Sequence, residues 1–92
     1  MSTYLMFGKY SLEALKAISA TRTDQATAIL KKHGGVLKSG YALLGKVDLV
    51  LVVELPDNEQ AMKASAALTK KLGISFTTSP AVSIADFDKL MG

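Results

Sequence analysis

The run Leu49 to Val53 reads Leu-Val-Leu-Val-Val and contains no polar residue. Successive side chains of a β-strand point to opposite faces, so this run places apolar side chains on both faces of one strand. A sheet that helices cover on one face should alternate apolar and polar residues instead. The run therefore predicts a central strand in a sheet that is covered on both faces.

The segments around this run predict the element order β-α-β-β-α-β. A first strand over residues 3–10 precedes a helix that begins after the N-cap Ser11 and continues at helical spacing to Leu30. Gly34 and Gly35 end that helix. The other predicted elements are strands over residues 35–44, 48–55 and 74–78, a helix from the N-cap Asp57 to Gly73, and a short terminal helix over 85–91.

This order predicts one ferredoxin-like α+β domain over residues 1–92, a four-stranded antiparallel sheet with two helices on one face. The first strand, which is the central partner of the third, is also apolar on both faces, with Leu5 and Phe7 on one and Tyr4 and Met6 on the other. A large apolar face is rarely left exposed to water. We expect a homodimer through the sheet faces, of the dimeric α+β barrel type, with an apolar monomer as the alternative.

Composition excludes several kinds of site and partner. The chain has no Cys and a single histidine, His33, which excludes a thiolate site and a His-rich metal site within one chain, and we expect no cofactor. The net charge is +3, but the basic residues are scattered and include one Arg, so we expect no nucleic-acid partner. With no signal-peptide pattern and no apolar run near the roughly 20 residues of a membrane span, we predict a cytoplasmic protein with no membrane partner.

Four polar residues are candidates for a ligand site: Lys9, Arg22, Tyr41 and Asp48. Arg22 lies on the apolar stripe of the first helix, where it either anchors an anion at a pocket mouth or extends along the packed face to its rim. Asp48 is either a pocket carboxylate or an acceptor of backbone hydrogen bonds at the strand entry. Lys9 ends the first strand and Tyr41 offers a phenol near the turn. No catalytic set is assigned, because the lone His33 is poorly placed for a Ser-His-Asp arrangement.

The segment Tyr-Ala-Leu-Leu-Gly-Lys-Val-Asp, from Tyr41 to Asp48, and the strand after it resemble the GYD domain family. The opening strand and the helix that contains Arg22 extend the resemblance over essentially the whole chain. That family has a Gly, usually a Tyr, and an Asp at the second turn; Gly45 and Asp48 match the first and last, and Val47 stands at the Tyr position. The resemblance implies a ferredoxin-like fold similar to dimeric α+β barrel proteins, and it implies no particular substrate.

Three functions are consistent with these observations. The first is a homo-oligomeric module that holds a small, partly apolar ligand. The second is a cofactor-independent enzyme of the dimeric-barrel kind, such as an oxygenase or isomerase, with a polar residue pointing into an apolar cavity. The third is a regulatory module similar to an ACT domain, which binds ligands between subunits.

Overall fold

A computed structural model describes residues 1–92. Its four strands are β1 (Ser2–Tyr10), β2 (Val36–Ala42), β3 (Leu49–Leu55) and β4 (Ile74–Ala81). Their order across the sheet is β2-β3-β1-β4, and every neighbouring pair is antiparallel. β1 and β3 are therefore the central pair, and the predicted ferredoxin-like fold is confirmed.

Four helices accompany the sheet: α1 (Leu12–Lys16), α2 (Thr21–Lys32), α3 (Asn58–Leu72) and α4 (Ile84–Met91). The predicted caps are present. The Ser11 hydroxyl accepts a hydrogen bond from the Ala14 N–H, and the Asp57 carboxylate accepts one from the Gln60 N–H. Gly73 ends α3 in the left-handed conformation, with φ +70°. None of the helices is long and apolar enough to cross a lipid bilayer.

The prediction of one continuous first helix is wrong, because α1 and α2 are separate. α1 ends at the C-cap Ala17 and α2 begins at Thr21. Between them the hydroxyls of Ser19 and Thr21 lie 2.8 Å apart, and the Arg22 N–H donates to the Ser19 carbonyl. Short hydroxyl side chains compete with the helical hydrogen-bond pattern, so a helical spacing of apolar residues continues through a segment that is not helical.

Both edge strands are irregular. β4 continues past the predicted end at residue 78 to Ala81, and Pro80 pairs opposite Tyr4. Proline has no N–H to donate, and a sheet tolerates it on an edge strand such as β4. β2 forms the other edge, and its register with β3 shifts between Leu37 and Ser39.

The core lies between the sheet and the two long helices, α2 and α3. Its largest fully buried side chains are Met6, Leu30, Val53, Leu55 and Leu68. They come from β1, α2, β3 and α3, and each contributes roughly 1.5–3 kcal/mol by burial. One face of the sheet is thus largely covered by the chain's own helices.

The other face of the sheet carries apolar side chains that remain partly accessible. The register pairs Leu5 with Val52 and Phe7 with Val50, and all four side chains are only half-buried. Tyr41 pairs opposite Val50 on this face and is 62% exposed. We call this surface, formed by Leu5, Phe7, Tyr41, Val50 and Val52, the open face. It is the second apolar face that the Leu49–Val53 run predicted.

Candidate functional site

A small apolar cavity lies between α2 and the covered face of the sheet. Its volume is about 150 Å³. Its walls include Ile18, Arg22 and Ala26 on one side and Leu49, Ile74 and Phe76 on the other. We call it the α2 cavity. No Asp, Glu or His lines it, so Arg22 is its one charged side chain.

Arg22 is half-buried, and its guanidinium is only partly satisfied. One Nη donates to the carbonyl of Leu72, at the end of α3, and the other lies 3.5 Å from the Ala17 carbonyl. The Nε atom is buried and has no hydrogen-bond partner. A buried N–H without a partner costs about 1–3 kcal/mol. The guanidinium therefore combines a positive charge, a free donor and an apolar cavity.

The floor of the α2 cavity depends on Gly8, in the middle of the sheet. A Cβ atom built at Gly8 would lie 2.7 Å from Leu49 Cδ2, 2.8 Å from Phe76 Cε1 and 2.9 Å from Ile74 Cγ2. These three side chains close over the glycine from β3 and β4. No local sequence pattern marks Gly8, because its role follows from the register that sets it opposite both Leu49 and Phe76.

Asp48 lies at the entry to β3 and is bonded to the end of β1. Its Oδ2 atom accepts the Tyr10 N–H at 2.8 Å, and its own N–H donates to the Gly8 carbonyl at 2.8 Å. Nearby, the Lys9 ammonium lies 3.3 Å from the Lys46 carbonyl and donates to it. Asp48 and Lys9 thus attach the β2–β3 connection to the sheet.

The four candidate residues do not meet in one subunit. Arg22 lines the α2 cavity, whereas Lys9, Tyr41 and Asp48 do not. Tyr41 lies on the open face, and Lys9 and Asp48 lie at the β2–β3 connection. No group of His, Asp and Glu residues is arranged to hold a metal ion.

A larger depression, which we call the α3–β4 groove, runs between α3 and the edge strand β4. Its volume is about 720 Å³. Its lining includes Ala61, Met62, Ala66 and Lys70 of α3 and Phe76 and Pro80 of β4. Met62 is 73% exposed although it is a large apolar residue on an otherwise well-packed helix.

The model of the GYD domain family matches residues 4–91. The chain belongs to the GYD domain family. The match covers nearly the whole chain, so the resemblance seen at the second turn is confirmed. Among curated protein sequences, none matches the chain.

In this GYD domain, the residues of the second turn have distinct structural roles. Gly45 has φ +135°, which favours glycine because a side chain is strained there. Asp48 accepts the backbone bond described above. Val47, at the family's usual Tyr position, is half-buried and carries no hydroxyl.

The GYD domain is similar in fold to two solved structures. One is the leucine response regulatory protein of Mycobacterium tuberculosis, with a TM-score of 0.58 and 11% identity over 89% of this chain and 51% of that chain. The other is a glutamate-to-alanine mutant, with a TM-score of 0.58 and 12% identity over 89% of this chain and 50% of that chain. The GYD chain spans about half the length of each, and identities this low show the fold alone.

Proposed function

We propose that this GYD domain is a homo-oligomeric binding module for a small, partly apolar carboxylate. The observation that carries the proposal is the Arg22 guanidinium, whose buried Nε lacks a partner at the α2 cavity. An apolar cavity of about 150 Å³ is large enough for a molecule the size of benzene. Binding sites combine apolar walls with a few polar groups that orient the ligand, and a guanidinium matches a carboxylate in geometry and charge.

Binding is favoured over catalysis by the make-up of the cavity wall. The polar residues that line it are Tyr10, Ser19, Arg22 and Thr23. General acid–base chemistry is carried most often by His, Glu or Asp, and the wall has none of them. A cofactor-independent enzyme would have to use the phenol of Tyr10 or a group supplied by a partner subunit.

The homo-oligomeric part of the proposal rests on the open face. Phe7, Val50 and Val52 lie side by side there, and none of them is fully buried within one chain. The accessible surface is 6214 Å², whereas a folded monomer of this mass exposes roughly 5,200 Å². The excess of about 1,000 Å², to which the exposed helix α4 also contributes, is similar to the roughly 800 Å² that each partner buries in a standard interface. A second copy, related by a two-fold axis, would cover the open face with the same residues.

The ligand proposal is tested by thermal unfolding with branched four- to six-carbon carboxylates and with their neutral amides. Binding only to the folded state raises the melting temperature, and saturation at about 100 times the Kd contributes about 2.7 kcal/mol. We expect the carboxylates to raise it and the amides not to. Arg22→Met should remove the shift, and Lys16→Met, on α1, should keep it. Equal shifts in the Arg22→Met and Lys16→Met proteins would overturn the proposal.

The homo-oligomer is tested by light scattering at micromolar concentration. We expect a mass of at least about twice the chain mass of 9.8 kDa. A mass equal to one chain under all conditions would remove the oligomer from the proposal while leaving the ligand test unaffected.

An ACT-like regulatory module is the second candidate, and the fold similarity to a leucine response regulatory protein favours it. Such a module would bind an amino acid between subunits. An amino acid brings an ammonium group, and the α2 cavity offers it no carboxylate. Leucine and its deaminated analogue, 4-methylpentanoate, therefore separate the two candidates. The α2 cavity predicts a larger thermal shift with 4-methylpentanoate, and the regulatory module predicts a larger shift with leucine.

A further inference from the structure

The helix α4 has an apolar stripe that its own chain does not cover. Ile84 is 78% exposed, Phe87 48%, Leu90 70% and Met91 69%. At about 100° per residue these four side chains share one side of the helix. No residue of α4 is buried. Helices of fewer than about 12 residues are marginal in water, so an eight-residue helix depends on packing against another surface.

The α3–β4 groove has the length and the lining to accept this helix. Its α3 residues run from Asn58 to Lys70, which is about 18 Å along the helix axis, and α4 is about 12 Å long. Met62, Phe76 and Pro80 give the groove an apolar lining. No residue of α4 lines the groove of its own chain.

The charges that border the two surfaces are opposite. Asp86 and Asp88 lie on either side of the apolar stripe of α4, by the same 100° spacing. On α3, Lys70 lines the groove and Lys63 lies two helical turns before it on the same side, one turn after Glu59, so this border carries a net positive charge. Docking of α4 with its stripe in the groove would therefore bring one of the two carboxylates towards the lysines of α3, whichever way the helix runs.

We propose that α4 of one chain docks in the α3–β4 groove of a second copy of the chain. In the structure α4 stands clear of its own groove, so the occupant comes from another copy. Exchange of the two helices between two copies satisfies both surfaces at once with two-fold symmetry. This contact is separate from the open face, and the groove shares only Phe76 with the α2 cavity.

The absence of cysteine in the chain permits a direct test by disulfide cross-linking. A Met62→Cys protein and a Phe87→Cys protein, one of them with an affinity tag that changes its mass, are mixed and oxidised. We expect a mixed dimer linked between Cys at the groove and Cys on α4. Lys89→Cys, on the opposite side of α4, replaces Phe87→Cys in the control mixture and should give little mixed dimer.

The double variant Met62→Cys/Phe87→Cys separates exchange between copies from folding back within one chain. Exchange predicts oxidised dimers, whereas folding back predicts an oxidised monomer. An oxidised monomer, or mixed dimer no more abundant than in the Lys89→Cys control, would overturn the proposal.

Charge reversal tests the match between the two borders. In the cysteine mixture, Lys63→Glu/Lys70→Glu in the groove protein should slow cross-linking several-fold. Asp86→Lys/Asp88→Lys in the α4 protein should restore it. Cross-linking that is indifferent to both changes would contradict the charge-matched docking.

Discussion

Asp48 shows how a polar residue near a predicted site acts through the backbone. Its carboxylate accepts the Tyr10 N–H at 2.8 Å, and its N–H reaches Gly8. Asp48 therefore accepts a backbone hydrogen bond at the strand entry, which is one of the two roles that the sequence predicts for it; the other is a carboxylate in a pocket. The choice between the two depends on Tyr10, which is 38 residues away along the chain, and for that reason local sequence cannot make it.

We predict that Asp48→Ala destabilises the domain and spares ligand binding. Loss of a hydrogen bond to a charged group leaves the Tyr10 N–H without its acceptor and costs roughly 1–3 kcal/mol. Urea denaturation measures the loss. The carboxylate-dependent thermal shift should persist. Asp48→Asn retains an acceptor oxygen and should recover much of the stability. A fully stable Asp48→Ala protein that no longer responds to carboxylates would instead place Asp48 in the ligand site.

Gly8 is the residue on which the cavity floor depends. We predict that Gly8→Ala lowers the free energy of unfolding by about 1–3 kcal/mol, because its Cβ would overlap three apolar side chains. The urea midpoint measures it. Ser75→Ala, on the exposed side of β4, serves as the control and should stay within about 0.5 kcal/mol of wild type. An unchanged midpoint for Gly8→Ala would show that Leu49, Ile74 and Phe76 repack at no cost.

At the scale of the elements, helix ends were the most predictable features and the break between α1 and α2 was the least. The caps of α3, Asp57 and Gly73, act on residues within one turn, so local sequence contains the whole signal. The break is local too, but the apolar spacing from Leu15 to Ile29 conceals it. The full length of β4 depends on strand order, because Pro80 is tolerated only on an edge.

The site was less predictable than the fold, since it is built from contacts between elements. Arg22 was a candidate from its place on an apolar stripe. Its contact with the Leu72 carbonyl, 50 residues away, arises only when α2 packs beside α3, and the closure of Leu49 over Gly8 arises only when the strands pair in register. In the sequence, the only indication of the α3–β4 groove is weak: Met62 is a large apolar residue on a helix that is rich in alanine.

The N-caps of α3 and α4, Asp57 and Ser83, should differ in how much they contribute to the stability of the chain. Asp57→Ala should cost about 0.5–2 kcal/mol in global stability, because α3 packs on the core. Ser83→Ala removes the equivalent bond, from the Asp86 N–H, but α4 contributes nothing to the core of its own chain. We therefore expect no change in the urea midpoint for Ser83→Ala in dilute protein. Equal losses would indicate that α4 packs within its own subunit.

At the scale of the whole molecule, one chain is more extended than a self-sufficient domain. The principal dimensions are 47 × 30 × 19 Å and the radius of gyration is 13.6 Å, against about 12.3 Å expected for 92 residues. Only 15 of the 92 residues are buried. The open face and α4 both expose apolar side chains, and we propose both as contacts between copies.

Adjacent valines on opposite faces of β3 test the open face. Val53 is fully buried under the helices, so Val53→Asp should prevent folding through an unpaired buried charge. Val52 lies on the open face, and Val52→Asp should give a folded protein of lower mass by light scattering, with folding checked by circular dichroism. Gln25→Asp, at an exposed position of α2, should keep the wild-type mass. A folded Val52→Asp protein of unchanged mass would contradict the role of the open face.

The irregular edge strands determine how such copies can add to one another. At one edge Pro80 offers no N–H, and at the other the register shift between Leu37 and Ser39 bends β2 away from a straight partner. Neither edge is therefore a good template for another strand, and the sheet resists lateral growth. A contact through the open face, or through an exchanged α4, occupies the surface that forms it, and that surface cannot then bind a further copy. Each of these two-fold contacts by itself ends at a dimer, in contrast to the open-ended polymerisation that unprotected strand edges permit.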